Sequence, residues 1–355
     1  MTHHKPKVLY IPSVQNIHDE TAWRTLNEKF EVITYNCESE EEYIAEVRKP
    51  DGKFAGIEAI CRSSWLKGQP YVHHYLFRGE PVKALPDTVK IIVQSGHGYD
   101  IVDVDYLTKK GVLFCNSPDC CTIATADVGV ALVLQSFRYL TYAEHCVRTG
   151  KYYDSAPLAL WGENPAGKTL GIIGLGNIGF RVAVACKALG MEVAYHNRTP
   201  KPEYEEKIEN LSYFENLNDM LAVTDCVFVA CPHTSATHHL INGDRFKHMK
   251  DRVRLVNIAR GPIVEEAAVI DALERGQLVG AGFDVHEFEP KIHPKLLENY
   301  KVTLLPHVGV TSIDSFKAFE RKCVANLVEY FYGSGKPASV NKVGSEQICR
   351  GDIKC

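Results

Sequence analysis

No stretch of this chain stays apolar for long. Runs such as VGVALVL, residues 128–134, end well short of the ~20 consecutive apolar residues that a membrane-spanning helix needs. The opening MTHHKPK also lacks the apolar core of a secretory signal. Neither a span nor an export signal is expected, and a cytoplasmic location is the default expectation. Basic excess is missing too: 40 Lys and Arg against 44 Asp and Glu leave a formal charge of -4, so the positive surface that nucleic acid demands is not provided. Small metabolites are the partners left to consider. CxxC pairs are absent. Twelve cysteines would otherwise suggest a disulfide framework or a zinc site, but Cys61, Cys115 and Cys231 sit at the ends of apolar runs, where buried reduced thiols are found. The pairs His3-His4, His73-His74 and His238-His239 have no second ligand pair at metal-site spacing, and no metal is expected. Fixed-period repeats and low-complexity tracts are lacking as well.

What is present points to two α/β domains. At 355 residues the chain exceeds what one hydrophobic core usually covers. In the first 120 residues the apolar runs VLYIPSV, EVITY, FAGIEAIC, VKIIVQS and VLFCNS alternate with helix-like stretches such as TAWRTLNEKF, the pattern of a parallel sheet with crossover helices. From Ile123 apolar residues recur at Ala126, Val130, Val133, Phe137 and Leu140. That spacing predicts one long amphipathic helix running toward Thr149 and linking the domains. The Gly/Pro/Asn-rich connector WGENPAGK precedes a second series, TLGIIG, MEVAYH, DCVFVAC, VRLVNIA, LVGAGFD and KVTLLPH, which supplies six strands. Phe316, Phe319, Cys323, Leu327 and Phe331 then repeat at helical spacing, and the residues from Gly333 onward show no period. The expected architecture is therefore two doubly wound parallel-sheet domains: a Rossmann cofactor domain over 121–311, a smaller flavodoxin-like substrate domain from 1–120 plus 312–335, and a mobile tail over 336–355.

GLGNIG sets Gly174, Gly176 and Gly179 in the GxGxxG pattern. With 26 glycines in the chain the pattern alone means little. Here a strand precedes it, and Ile178, Val182, Ala185 and Leu189 supply one face of a helix after it, which is the context a dinucleotide fold requires. The first glycine permits the turn, the second lets the backbone approach a pyrophosphate, and the third allows close helix-to-strand packing. The N–H groups of Asn177 and Ile178 then face the phosphates at the positive end of the helix. The next strand, in VAYHNRTP, ends where NAD-binding folds normally carry a carboxylate for the ribose hydroxyls. Asn197 holds that place. A 2'-phosphate carries roughly -1.5 to -2 charges near neutrality and would be repelled by a carboxylate, whereas Arg198 can pair with it and Thr199 can donate a hydrogen bond. NADP(H) is the preferred reading and NAD(H) the other; the competing explanation is a solvated arginine beside a turn-forming proline.

In an open parallel sheet ligands bind beyond the carboxyl ends of the strands. Arg260 ends VRLVNIAR, Asp284 ends LVGAGFD and His307 ends KVTLLPH, with Glu289 five residues beyond Asp284. Reduction of a carbonyl by hydride needs a proton donor for the developing alkoxide, a task suited to a histidine with a carboxylate beside it. Glu289 can serve His307 in this way, by favouring the imidazolium. A planar guanidinium such as that of Arg260 matches a substrate carboxylate.

At these residues the chain resembles the D-2-hydroxyacid dehydrogenase family, through GKTLGIIGLGNIG, VNIARGPIVEEAAVIDALERGQLVGAGFDV, FEP and LPHVG, and through SGHGYDIVDVDYLTKKGVLFCNSP and TADVGVALVLQSFR in the N-terminal half. DVHEFEP and the overall length are most similar to fungal D-mandelate dehydrogenases, and YHNR to NADPH-using glyoxylate and hydroxypyruvate reductases. The resemblance implies that Arg260 orients the substrate carboxylate and carbonyl, His307 exchanges the proton, and Glu289 holds His307. It also implies that Asp284 meets the nicotinamide carboxamide, with Cys231, Pro232, Thr237, Ile258, Ala259 and Gly309 as further cofactor contacts. The N–H groups of His97 and Gly98 would complete the carboxylate site, and a homodimer formed through the cofactor domain is implied too. His97 and Val310 depart from the residues usual at their positions, with Val310 expected to narrow the site near the nicotinamide. The loop CRSSWLKG matches no family motif, which leaves Arg62 and Trp65 as either pocket-lining or packed residues. The implied reaction is NADPH-dependent reduction of a 2-oxo acid to a D-2-hydroxy acid. Glyoxylate, hydroxypyruvate, branched-chain, phenylpyruvate and benzoylformate-like acids all stay open as substrates. The alternative reading is a dinucleotide-sensing scaffold similar to the C-terminal-binding protein corepressors. A formate or phosphoglycerate dehydrogenase is disfavoured by NRT and by the lack of a regulatory domain after the last helix.

Overall fold

The computed structural model describes residues 5–12, 19–63 and 74–343. Trp65, His3-His4, His73 and the tail beyond 343 lie outside the described residues. The chain divides into two compact units, Met1–Cys121 with Val310–Cys355, and Thr122–Gly309.

The first unit is built on five parallel strands, β1 (Lys7–Tyr10), β2 (Glu31–Thr34), β3 (Ala59–Arg62), β4 (Ile91–Gln94) and β5 (Leu113–Cys115), in the order β2-β1-β3-β4-β5. This is the flavodoxin-like order. The inner strands β3 and β4 are buried along their whole length, as strands covered by helices on both faces must be. Alternate residues divide between two cores: Leu9, Ile60 and Ile92 face one, while Val8, Tyr10, Cys61 and Val93 face the other, where Cys323, Val324 and Leu327 of the helix Ile313–Tyr332 complete it. Arg62 is 2% exposed, and its Nη1 donates to the His74 carbonyl at 2.9 Å. It is a packed residue of this unit. Val310 packs with Cys120, Cys121, Phe316 and Phe319.

The first part of the expected mobile tail is pinned. Asn341 Oδ1 accepts the Phe114 N–H at 2.8 Å, its Nδ2 donates to the Val112 carbonyl at 2.9 Å, and the Val340 N–H reaches the Phe114 carbonyl at 2.7 Å. One amide side chain thereby satisfies the edge of β5, and a single residue leaves no periodic trace in the sequence.

The second unit holds seven parallel strands. They are β6 (Thr169–Ile173), β7 (Glu192–His196), β8 (Ser212–Tyr213), β9 (Cys226–Val229), β10 (Val253–Asn257), β11 (Leu278–Phe283) and β12 (Val302–Leu304), in the order β12-β11-β10-β9-β6-β7-β8. Six were expected. The seventh, β8, is a two-residue edge strand that pairs through Ala194↔Ser212 and Tyr195↔Tyr213. The order reverses at β6, which has β7 on one side and β9 on the other; this switch point opens a crevice at the strand ends.

The single helix expected from Ile123 to Thr149 is two helices, Thr122–Arg138 and Leu140–Arg148, bent by 77° at Tyr139. Tyr139 takes a left-handed backbone, φ +51°, with its ring buried and its hydroxyl donating to the Val279 carbonyl at 2.7 Å. A buried tertiary contact therefore breaks a run that local spacing would continue. Leu140, counted on the apolar face, is 48% exposed. Both helices lie within the second unit. No single described helix is long and apolar enough to cross a membrane. The ten described cysteines are all free, and all but Cys120 are buried; burial pushes the Cys186 and Cys226 thiols up to about 12, which keeps them protonated and unreactive.

Candidate active site

The glycine turn after β6 shows why each of its glycines is there. Gly174 has φ +100°, and a Cβ on it would lie 2.5 Å from the Cys231 nitrogen. A Cβ on Gly179 would lie 2.6 Å from the Gly174 oxygen. Chain packing alone therefore demands both. At Gly176 a Cβ would meet no atom of the described residues within 4 Å, so none of them demands glycine there and the backbone faces open space. Gly176 is the N-cap of the helix Asn177–Ala188, and no side chain caps that helix. An uncapped helix start behind an open glycine is what a pyrophosphate fits. The helix buries Gly179, Val182, Ala183 and Cys186, whereas Leu189, expected on the same face, is 38% exposed.

At the end of β7, Asn197 turns back to the glycine turn. Its Oδ1 accepts the Leu175 N–H at 2.7 Å and its Nδ2 donates to the Leu175 carbonyl at 3.2 Å. Both ends of the amide thus shape the phosphate turn. Arg198 and Thr199 are exposed, and Arg198 has no hydrogen bond or ion pair with any described residue. One wall of this end was not anticipated: Phe180 stacks on Tyr204 with centroids 4.4 Å apart, and the Tyr204 hydroxyl donates to Asn177 Oδ1 at 2.6 Å. Beyond β9, Thr237 Oγ1 donates to the Pro232 carbonyl at 2.7 Å and accepts the Thr234 N–H at 2.8 Å, closing the turn that follows Cys231.

The ends of β10, β11 and β12 carry the remaining candidates. Arg260 is half-buried, with Nη1 donating to the Ala259 carbonyl at 2.8 Å. Its backbone is set by Asn257, whose Oδ1 accepts the Ala259 N–H at 3.0 Å and whose Nδ2 donates to the Arg260 carbonyl at 2.9 Å. Asn257 lies inside an apolar run, and sequence reasoning passed over it. Ile258, just beyond it, is buried. Asp284 is 1% exposed and accepts the N–H groups of Val308 at 2.7 Å and Gly309 at 2.8 Å. It therefore holds the segment that carries His307. His307 Nδ1 lies 3.1 Å from Glu289 Oε2, and both side chains are 26% exposed. With Nδ1–H donating to the carboxylate, Nε2 is the ring atom left for a substrate oxygen. Arg260 joins this pair through its neighbour: a Cβ on Gly261 would lie 1.9 Å from the His286 oxygen, in the loop that bears Glu289. The structure thus brings Glu289 and His307 into contact and sets Arg260 on the strand next but one to that of His307. His97 and Gly98 belong to the first unit, in the turn after β4, where His97 is exposed and its carbonyl accepts from Asn116 Nδ2 at 2.7 Å.

Residues 130–309 match the model of the D-isomer specific 2-hydroxyacid dehydrogenase NAD-binding domain. Glyoxylate reductase 1 of Saccharomyces cerevisiae is 35% identical over 326 residues, 91% of each chain. Among solved structures, the holo form of Rhodotorula graminis D-mandelate dehydrogenase superposes with a TM-score of 0.89 at 32% identity, covering 96% of this chain and 99% of that one. The NADPH-dependent glyoxylate/hydroxypyruvate reductase of Sinorhizobium meliloti, in complex with NADP and malonate, superposes with a TM-score of 0.75 at 29% identity over 95% of this chain and 96% of that one.

Proposed function

The chain belongs to the D-isomer specific 2-hydroxyacid dehydrogenase family and is an NAD(P)-dependent oxidoreductase, and from that premise we propose that it reduces small 2-oxo acids to D-2-hydroxy acids with NADPH as the preferred donor. The observation that carries the reading is the 3.1 Å contact between Glu289 and His307, at the sheet end that also bears Arg260 and the glycine turn. A nicotinamide dinucleotide whose pyrophosphate is held by that turn would supply the hydride for C2. Arg260 offers its guanidinium to the substrate carboxylate and orients the carbonyl. His307 delivers a proton from Nε2 to the oxygen as negative charge develops there. Glu289, at Nδ1, holds the ring and stabilises the imidazolium between turnovers. Asp284 fixes the His307 segment through the Val308 and Gly309 amides.

The NADPH preference is supported by an exposed Arg198, unpaired among the described residues, next to an Asn197 whose amide is bound to Leu175: the position where a carboxylate would repel a 2'-phosphate holds an amide. The solved reductase from Sinorhizobium meliloti was crystallised with NADP. A homodimer is part of the same proposal. It is supported by the exposed apolar residues of the segment after Tyr139, with Val147 59%, Tyr152 65%, Tyr153 87% and Leu160 83% exposed. Sedimentation at micromolar concentration checks it, and a monomer would refute it. The experiment for the function follows the loss of reduced-nicotinamide absorbance with glyoxylate, hydroxypyruvate, 4-methyl-2-oxopentanoate, phenylpyruvate and benzoylformate, using NADPH and NADH in turn and chiral analysis of the products. Turnover with NADPH giving D products is expected. An absence of turnover across that panel, or L products, would overturn the reading.

A further inference from the structure

Two carboxylates stand on alternate residues of the loop after β11 and face opposite ways. Glu289 reaches forward to His307. Glu287 reaches back: its Oε2 accepts the Glu266 N–H at 2.8 Å, Glu266 Oε1 accepts the Glu287 N–H at 3.0 Å, and Glu287 Oε1 lies 2.7 Å from His239 Nε2. This reciprocal clasp ties the far side of the loop to the start of the helix Glu266–Glu274. The near side is held by the residue between them and the strand, His286. Its backbone N–H donates to Glu289 Oε1 at 3.1 Å, and its carbonyl abuts Gly261, the residue after Arg260. Its ring Nε2 lies 2.9 Å from the carbonyl of Leu305, two residues before His307. One residue therefore bonds the Glu289 carboxylate itself and touches the backbone beside Arg260 and that leading to His307. The His286 residue is 6% exposed, so solvent does not compete for that bond. A carbonyl can only accept, and Nε2 must carry the proton.

We propose that His286 is a positioning residue for the reaction: its Nε2–H bond to Leu305 ties the loop of Glu289 to the segment of His307 and so sets their separation. The inference rests on the assignment of His307 as proton donor. His286 itself exchanges no proton. The backbone N–H bond to Glu289 does not depend on the side chain in His286→Phe or His286→Gln, and the Glu287 clasp keeps the loop in place from behind, so replacing the ring tests the Leu305 bond alone.

His286→Phe keeps an aromatic ring and removes the donor; His286→Gln restores an N–H near the place of Nε2. Because small displacements of reacting groups carry large rate penalties, His286→Phe is expected to lower kcat by roughly ten- to a hundredfold with the NADPH dissociation constant unchanged, and His286→Gln to recover most of the loss. Wild-type kcat in His286→Phe would overturn the inference, and so would a His286→Gln variant no better than His286→Phe, since the ring would then act as packing only. Should His286→Phe fail to fold, imidazole 15N shifts of the wild-type protein decide. A ring protonated at Nε2, with signals that vanish in His286→Gln, is expected, and a ring whose only proton is on Nδ1 would contradict the bond. His307→Ala is measured alongside. If that variant keeps wild-type kcat, the assignment of the proton donor fails, and the His286 comparison is not what failed.

Discussion

His307 occupies the left-handed region of backbone space, φ +58°, and from there its Nδ1 faces Glu289 Oε2 at 3.1 Å. A non-glycine residue in that region costs on the order of 1–3 kcal/mol and persists only where its surroundings enforce it. Here the enforcement is visible: Asp284, buried at the end of β11, accepts the two N–H groups that follow His307, those of Val308 and Gly309. The backbone strain and the aim of the imidazole have one cause.

If that imidazole donates the proton, removing it should harm the chemical step and spare binding. His307→Ala is expected to lower kcat by roughly a hundred- to ten-thousandfold, the range of general acid catalysis, while the NADPH dissociation constant changes less than about threefold, because the ring acts chiefly in the transition state. Steady-state kinetics beside a fluorescence titration with NADPH make the comparison. Equal losses in turnover and in affinity would return His307 to a binding role.

Asp284 distinguishes a role toward the nicotinamide from a role toward His307. Asp284→Asn keeps the shape but sets an NH2 group against one of two buried amides, and an unsatisfied buried donor costs about 1–3 kcal/mol. The expected outcome is a lower midpoint of thermal unfolding together with a fall in kcat larger than the fall in NADPH affinity. If affinity alone is lost and kcat is kept, the carboxylate serves the cofactor and the Val308 and Gly309 bonds are incidental.

These residues differ in how far the sequence exposes them. Arg260, Asp284 and His307 are polar groups ending apolar runs, and strand ends in a parallel sheet are where such groups stand out. Asn257 and His286 act beside them but lie within VRLVNIAR and DVHEFEP, where no spacing rule separates a structural amide or imidazole from a solvated one. Their partners, the Arg260 and Leu305 carbonyls, are backbone atoms and leave no residue type to recognise. Asn197 stands out at its strand end, yet its bonds go to the Leu175 backbone; a polar group there reads equally as ligand contact or turn holder. The fold followed the same division. Buried parallel strands such as β4 and β9 show as unbroken apolar runs, whereas β8 is two residues long and the bend at Tyr139 depends on Val279, far away in the chain.

Arg198 is exposed and unengaged beside the phosphate turn, so removing it should disturb little of the fold. Its proposed partner is the 2'-phosphate, and a hydrogen bond to a charged group contributes about 1.5–3 kcal/mol. Arg198→Ala should therefore weaken NADPH binding by roughly ten- to a hundredfold and leave NADH nearly unchanged, narrowing the ratio of the two kcat/KM values. An unaltered ratio would return Arg198 to the solvated surface.

The connector before the cofactor-binding series is fixed by one carboxylate. Glu163 lies 2.6 Å from Arg252 Nη2, 3.2 Å from Arg254 Nη2 and 2.9 Å from Lys168 Nζ, and Arg254, 1% exposed, sits with its guanidinium 4.1 Å from the Phe137 ring centre. Burial pushes the Glu163 carboxyl upward, but hydrogen bonds from the three cations outweigh it and bring it down to about 2 from an ordinary 4.5. The folded state thus binds this proton less readily than the unfolded chain does. Its stabilisation is complete above about 4.5 and is lost as the pH falls through about 2. Glu163→Gln should lower stability near neutrality by about 1–3 kcal/mol, below the full cost of breaking a buried pair because the carboxylate is partly solvated. In acid the two proteins should converge, since the wild-type group is then protonated as well. Thermal midpoints measured across that window check the sign: a constant gap between wild type and variant at every pH would mean that Glu163 holds the connector by shape, not by charge.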